Sequence, residues 1–279
     1  MNTQTMKSHD STRQRDWSAA AKSALNNAGR FWFLVAAIGQ LLFFAYIVFF
    51  YGGSTVRGDF DAWRKVLPRG MIEGDSTGNF LLATHLLMAA IITFGGLLQL
   101  LPAVRARVPV LHRWNGRLYV VIAITISLGS LYLVWVRGTV GDTSQHLGST
   151  LNAFLILLCA ALAWRFAKAR DFASHRRWAL RLFLVVSGVW FFRVGLMLWL
   201  LIHQAPVGFD PKAFTGPFLT FLAFAQTLIP LAVLELYLRT QQRASTALRF
   251  ALAAGISLLT VATAGGIFGA AMMMWLPRI

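Results

Sequence analysis

Long apolar runs recur along almost the whole chain, and they restrict its fold more than any other feature. Each run is about 20 residues or more, the length that an α-helix needs to cross the hydrocarbon core of a bilayer. The runs are 31–51, 79–101, 110–136, 146–166, 175–203, 217–238 and 249–276. The sequence therefore predicts an all-α integral membrane protein with about seven transmembrane helices, whose first partner is the lipid bilayer.

Charged residues make up only 13% of the chain and lie between the apolar runs. The net charge of +16 comes from short loops and shows no separate basic patch with interleaved aromatic residues, so we expect no nucleic-acid partner. No linker separates a second domain. We predict a polar cytoplasmic tail over 1–30 and a single transmembrane domain over 31–279.

The distribution of lysine and arginine predicts the orientation, because cytoplasmic loops carry an excess of these residues. With the N-terminus inside, 18 of them fall on the cytoplasmic side, namely Lys7, Arg13, Arg15, Lys22, Arg30, Arg105, Arg107, Arg113, Arg117, Arg165, Lys168, Arg170, Arg176, Arg177, Arg181, Arg239, Arg243 and Arg249. Seven fall outside, namely Arg57, Arg64, Lys65, Arg69, Arg137, Lys212 and Arg278. We therefore expect a multi-pass protein of the bacterial inner membrane with a cytoplasmic N-terminus and an external C-terminus.

The one sizeable loop, residues 52–78, lies outside in this topology. It is rich in glycine and charge, and its segment 61–67 is long enough for a short interfacial helix. We expect the loop to cover a site on the outer face.

Four histidines lie near the ends of four consecutive predicted helices, the second to the fifth. His85 and His146 fall toward the outer surface, and His112 and His175 toward the cytoplasmic surface. The spacing within each pair of neighbouring helices is similar, and the segment HRWNGR at 112–117 is echoed by HRRWALR at 175–181. Two similar hairpins of this kind predict a central four-helix bundle over 79–203 with pseudo-two-fold symmetry.

In such a bundle the histidines form two facing pairs, His85 with His146 and His112 with His175. Haem iron takes axial ligands from opposite sides of its macrocycle, and neutral imidazole is a common ligand. The pattern therefore predicts two haem b groups, with these four histidines as iron ligands. A bis-histidine iron has no open coordination position, which favours electron transfer.

Residues near the histidines are candidates for the rest of the two haem sites. Arg113 and Arg176 each follow a cytoplasmic-side histidine and are expected to meet haem propionates. Small residues expected to give the macrocycles clearance are Gly95, Gly96, Gly116, Gly129, Gly148 and Gly188. Aromatic residues expected to line them are Trp114, Trp178, Trp190, Phe191 and Phe192.

A structural alternative exists for every one of these histidines. Histidine at a helix end lies comfortably at the membrane interface with its polar edge in water, and clusters such as HRW commonly anchor loops on the cytoplasmic side. His203 and His9 have no partner in the pairing scheme, and we interpret both structurally.

Residues 79–203 resemble the cytochrome b-561 family, in which four consecutive helices hold two haems b on opposite sides of the membrane. The resemblance rests on the four alternating histidines and on HRWNG at 112–116, which is similar to the family's His-x-Trp-x-Gly turn. The family usually carries that turn at its third histidine and has six helices, and its ascorbate-binding motif has no convincing counterpart here. What the resemblance implies is a transmembrane cytochrome b.

The whole chain is also similar to a bacterial family of membrane proteins of unknown function, numbered 2306 among such domains. The shared marks are the His85 helix with Gly95, Gly96 and Gln99, the segment HRWNGR and the segment HRRW. This resemblance implies a membrane protein and supplies no activity.

Arg193 is the one charged residue clearly inside an apolar run. It follows His175 by 18 residues, a rise of about 27 Å along a helix, which places it in the outer half of the membrane. A charge at this depth normally faces the protein interior and has a partner. We expect Arg193 to neutralise an outer haem propionate or to bind an anionic or quinone substrate; the alternative is a side chain that extends to the outer headgroups.

These observations predict a transmembrane b-type cytochrome that moves electrons from a cytoplasmic or quinol donor to an outer acceptor. No catalytic nucleophile, phosphate-binding loop or zinc motif is present, so any enzymatic activity would be that of a transmembrane oxidoreductase. Two other functions fit the same sequence, a haem-free transporter or channel and a structural or assembly subunit. A quinone or another small redox substrate is the expected partner, and the sequence predicts no oligomeric state.

Overall fold

The computed structural model describes residues 3–64, 66–67 and 69–279, with side chains from Gln14 onward except that of Arg243. The side chain of His9 and all of Lys65 lie outside this description. Six described helices are long and apolar enough to cross a membrane, and a bent pair adds a seventh if it is one span. The predicted fold class, an all-α integral membrane protein with about seven spans, is confirmed.

The helices follow the predicted apolar runs closely, because each run supplies one continuous membrane-length segment. In chain order they are α1 Thr3–Tyr46, α2 Gly53–Arg57, α3 Asp61–Arg64, α4 Ser76–Leu100, α5 Pro102–Arg107, α6 Pro109–Tyr132, α7 Thr143–Lys168, α8 Phe172–Val186, α9 Gly188–His203, α10 Pro217–Arg243 and α11 Thr246–Ala270. Short π-helical segments extend three of them, at Ile47–Gly52, Leu133–Gly138 and Ala271–Trp275. Helix α1 runs without a break from the polar tail into the first span.

Several spans begin at a polar capping side chain that accepts a hydrogen bond from a free backbone N–H group of the first turn. Asp75 accepts from Gly78, Asp142 from Gln145, Asp171 from Ser174 and Ser245 from Leu248. The caps fix where α4, α7, α8 and α11 start, and therefore how deep the histidines of α4, α7 and α8 lie.

The fifth predicted span is not straight, because α8 and α9 meet at an angle of 51°. The break is at Ser187-Gly188, a kind of pair that often kinks helices. The hydroxyl of Ser187 donates to Phe183 O and accepts from Gln40 Nε2, while Asn152 Nδ2 donates to Val185 O. These polar side chains satisfy backbone and side-chain groups at the bend, which allows the bend to persist in an apolar setting.

The helices pack as two neighbouring hairpins, α4 with α6 and α7 with α8, with α6 against α7. Side chains close the bundle on its remaining side, since Leu97 of α4 shares an apolar cluster with Phe183 and Leu184 of α8. Helices α1 and α11 pack along one another, and α11 also packs on α9. The predicted bundle of the second to fifth spans thus carries α1, α10 and α11 on one flank.

The described residues of the segment 58–75 form a folded cap at one end of the bundle, which we name the cap end. The opposite end, with residues 101–108 and 169–171, is the tail end. Trp63 is 2% exposed and packs edge-on against Tyr51, with ring centroids 5.4 Å apart. The predicted interfacial helix is found as Asp61–Arg64, while Lys65 lies outside the described residues. The described part of the loop packs on Tyr51, and its expected role as the cover of a site stays a prediction.

Candidate functional site: four histidines and a cap-end cavity

All four predicted histidines are half-buried. His146 lies in the first turn of α7 and His85 about two turns into α4, so both are in the cap-end half. His112 and His175 lie in the first turns of α6 and α8, at the tail end. The structure therefore places them two to each half.

His175 has one ring nitrogen fixed by the neighbouring hairpin helix. Its Nδ1 lies 2.9 Å from the backbone oxygen of Ala163 on α7. A carbonyl oxygen only accepts hydrogen bonds, so Nδ1 must carry the proton. The neutral imidazole then has its lone pair on Nε2, which is the arrangement typical of metal-ligating histidines.

His112 is held in place through its backbone, and its ring has no partner. Gln99 of α4 donates to His112 O at 2.8 Å, and Asn115 of α6 donates to Gly95 O at 2.8 Å. The ring Nδ1 is buried without a hydrogen-bond partner among the described residues. The charge of His175 acts on His112, so the two residues share the tail end, and no described hydrogen bond or ring contact joins them.

The cap-end histidines also have buried ring nitrogens without partners in the described chain, Nδ1 of His85 and Nε2 of His146. His85 lies near the guanidinium of Arg193. His146 packs edge-on against Trp135 with centroids 5.8 Å apart. The described contacts therefore give the two histidines different neighbours, and none of those contacts joins one ring to the other.

Arg193 projects from α9 toward helix α1. Its guanidinium carbon lies 5.3 Å from the ring centroid of Phe43, and Nη1 donates to Val189 O at 3.3 Å. Among the described side chains no carboxylate forms an ion pair with it. The described partners of Arg193 are therefore an aromatic face and a backbone carbonyl of its own helix. The charge of Arg193 also acts on His85.

Arg113 and Arg176 are both exposed. Arg113 is close enough to His112 for their charges to interact, whereas no described hydrogen bond or ion pair involves either guanidinium. Their proposed role toward propionates stays a prediction.

The expected glycine clearances are mostly wrong, because these glycines lie at close contacts between helices. A Cβ added at Gly148 would lie 2.9 Å from the backbone of Ala223, and one at Gly188 would lie 2.8 Å from Asn152 Nδ2. Gly95, Gly96 and Gly116 likewise meet Asn115, Tyr119 with Phe183, and Gln99. Gly129 alone of the six faces open space. Their small size serves backbone approach, as is common between membrane helices.

The expected aromatic lining is also only partly found. Trp114 is 64% exposed and stacks under Arg117, so it faces away from the bundle. Trp178 packs in the apolar core and under Arg181. Phe192 is different, because it lines a cavity beside His146.

That cavity has a volume of 160 Å³ and lies at the cap end between α7, α9 and α10. Its polar lining includes Gln145, His146, Ser149 and Gln226. Gln145 was not predicted from the sequence as a residue of the site. Its position three residues after the capping Asp142 is a signal for a helix start, and it does not indicate a cavity.

Among the described residues, no group of three or more His, Cys, Asp or Glu side chains is arranged to hold a metal ion. An axial haem site uses two imidazoles, one on each side of the macrocycle. At the tail end each ring can supply a ligand nitrogen, Nε2 of His175 and the buried Nδ1 of His112, and no described contact shows the two rings facing one another.

Comparison with known proteins gives one match. The family described as "Predicted membrane protein (DUF2306)" matches residues 82–229, more than half of the chain, and the matched segment contains all four histidines and Arg193. No curated protein and no solved structure matches the chain. The resemblance of residues 79–203 to the cytochrome b-561 family is not among these matches.

Proposed function

Because the chain belongs to the DUF2306 family of predicted membrane proteins and carries histidines in both halves of its bundle, we propose that it is a transmembrane b-type cytochrome. It moves electrons between a cytoplasmic or quinol donor and an acceptor on the other side of the bacterial inner membrane. His112 and His175 hold one haem b, and His85 and His146 hold the second.

The observation that carries the proposal is the hydrogen bond from His175 Nδ1 to Ala163 O. The bond joins α8 to α7, whereas the similar bond of His203 reaches only Trp199 O, one turn back on its own helix. The His175 bond orients the ring and leaves Nε2 as a ligand, at the same end of the bundle as a second ring with an unpartnered nitrogen. A bis-histidine haem supplies one-electron transfer without binding oxygen.

The protein's own residues contribute charge and orientation to this function. Gln99 and Asn115 fasten the segment of His112 to α4. Arg113 and Arg176 offer positive charge to propionates at the tail end, and Arg193 offers it at the cap end. An uncompensated guanidinium inside the membrane is costly, so an anionic group near Arg193 would lower its free energy.

Haem content tests the proposal. Purified full-length protein, expressed with haem available, should show sharp reduced bands in the visible spectrum. His175→Ala should reduce the haem content, whereas His203→Ala should leave it unchanged, because His203 already bonds to Trp199 O and stacks on its own helix. A colourless parent protein would overturn the cytochrome function.

The polar cavity at the cap end favours one other function, a haem-free transporter or channel in which Gln145 and Gln226 contact a substrate. Colourless protein that carries a solute into vesicles would support this alternative over the cytochrome.

A further inference from the structure

We infer that the cavity beside His146 is a binding site for a neutral aromatic ring that carries hydroxyl groups, the chemistry of a quinol head group. The binding rests on the cavity's own groups. The further step, in which this ligand is also the redox partner of the cap-end histidines, rests on the proposed function.

The cavity is polar and carries no fixed charge. Its lining contains no Asp, Glu, Lys or Arg, and its polar residues are amides, hydroxyls and one imidazole. An ionic ligand would enter such a space in the membrane without a counter-charge, at a high desolvation cost. The ligand that fits is therefore uncharged.

Two deeply buried amides determine which hydrogen-bonding groups the ligand must carry. Gln145 and Gln226 are 7% and 8% exposed. Each already donates one N–H of its Nε2, Gln145 to Phe214 O at 3.1 Å and Gln226 to Ala223 O at 2.9 Å, and keeps a second N–H. No described group donates to either Oε1. Both amides thus offer acceptors, and a ligand with hydroxyl donors would satisfy them.

Two further polar groups extend this set. Ser149 lines the cavity with a hydroxyl, which both donates and accepts. His146 also lines it, and its Nε2 is buried without a partner in the described chain. Polar groups from α7 and α10 therefore line the same cavity. Packing of the two helices alone does not require polar side chains at this position.

The remaining walls favour a flat apolar body. The apolar walls are formed by Val189 and Phe192 of α9 and by Phe214, which lies in the segment before α10. The volume of 160 Å³ suits one six-membered ring, since an apolar cavity of about 150 Å³ in another protein takes up benzene. Hydroxyl groups on that ring would reach the amide oxygens, while its faces meet the phenyl rings.

Binding of hydroquinone to the purified full-length protein in detergent tests the site, measured anaerobically by equilibrium dialysis against matched empty micelles. The comparison ligand is 1,4-dimethoxybenzene, which keeps the ring and lacks hydroxyl donors. We expect hydroquinone to bind at least roughly tenfold more tightly than the dimethyl ether, because a site built for a hydroxyl donor discriminates against its absence.

Two variants locate the binding. Gln226→Leu removes an acceptor and Ser149→Leu fills the space, and each should weaken hydroquinone binding about tenfold or more. Gln241→Leu, on the same helix at the tail end and bonded to Asn26 and Tyr237, should not. Equal binding by all variants, or equal binding of both ligands, would overturn the inference and leave the cavity to ordered water.

The visible spectrum of the same preparations separates the two proposals. Haem bands without specific hydroquinone binding would defeat only the cavity inference. Specific binding by colourless protein would support the cavity and defeat the cytochrome.

Discussion

Arg137 at the end of the third span forms a charge-assisted hydrogen bond with Asp75 at the start of the second, with 2.8 Å between Nε and Oδ2. The arginine side chain is only 5% exposed. Its other donors reach Arg69 O, Gly70 O and Asn79 Oδ1. One guanidinium thus holds the cap to the first turn of α4, and all of its bonds go to fixed acceptors.

We predict that Arg137→Gln will loosen the cap, because it removes the planar set of donors that bridges residues 69–79. Limited proteolysis of reconstituted protein should cut the segment 58–75 several-fold faster than in the parent. The control is Arg57→Gln, at an exposed position before the cap with no described side-chain hydrogen bond or ion pair. If both variants resist the protease equally, the Arg137 contacts do not hold the cap.

The same contact should respond to acid. The hydrogen bond from Arg137, with that from the Gly78 amide, lowers the pKa of Asp75 below its ordinary value. A lowered folded-state pKa stabilises the folded form above the unfolded pKa of about 3.9, and that stabilisation is lost as pH falls through the folded pKa. Cap proteolysis by an acid protease should therefore stay slow at mildly acidic pH and rise only below roughly pH 4. Asp75→Asn should remove this pH dependence.

The histidine pairing predicts which substitutions resemble one another. His112→Ala and His175→Ala should remove the same haem, and His85→Ala and His146→Ala the other, as read from redox titrations of the visible bands. If His85→Ala matched His112→Ala instead, the assignment of ligands to halves of the bundle would fail.

Arg193 should influence only the cap-end centre. Its charge lies near His85, and positive charge stabilises the reduced, less positive state of a nearby haem. Arg193→Gln should lower that midpoint potential, with about 59 mV corresponding to about 1.4 kcal/mol for one electron. Arg193→Lys keeps the charge and loses the planar fork, so it should shift the potential less. Equal shifts at both centres would contradict this placement.

The orientation remains a prediction from the distribution of basic residues. With seven spans and a cytoplasmic N-terminus, a phosphatase fused after Ile279 should be active and a fluorescent protein fused there should stay dark. The reverse result would mean that α8 and α9 do not together make one crossing.

The fold was readable from the sequence because each span is one apolar run of membrane length, and a bilayer leaves a helix as the only way to satisfy such a run. The bend at Ser187 was not predicted, since residues 182–192 are apolar apart from the pair Ser187-Gly188 and the other polar groups at the bend come from distant Gln40 and Asn152. The local sequence pattern predicts the length of a span, whereas tertiary contacts determine whether the span is bent.

The site was predictable only in outline for the same reason. The position of each histidine within its apolar run predicted its half of the membrane. Its hydrogen-bond partners depend on neighbouring helices, which the local sequence does not show. Glu235 illustrates the point, because its spacing of four residues from Arg239 favours an ion pair within its own helix. It pairs instead with Arg181 of α8, with 2.6 Å between Nη2 and Oε1.

The bend between α8 and α9 also has a mechanical consequence. His175 and Arg193 lie on different arms of one span, joined at a pivot where Ser187 bonds to Gln40 of α1. A displacement along α8 reaches α9 only in part, because the arms meet at 51°. The two arms of this span can therefore move partly independently of one another, with the pivot at Ser187 taking up the difference.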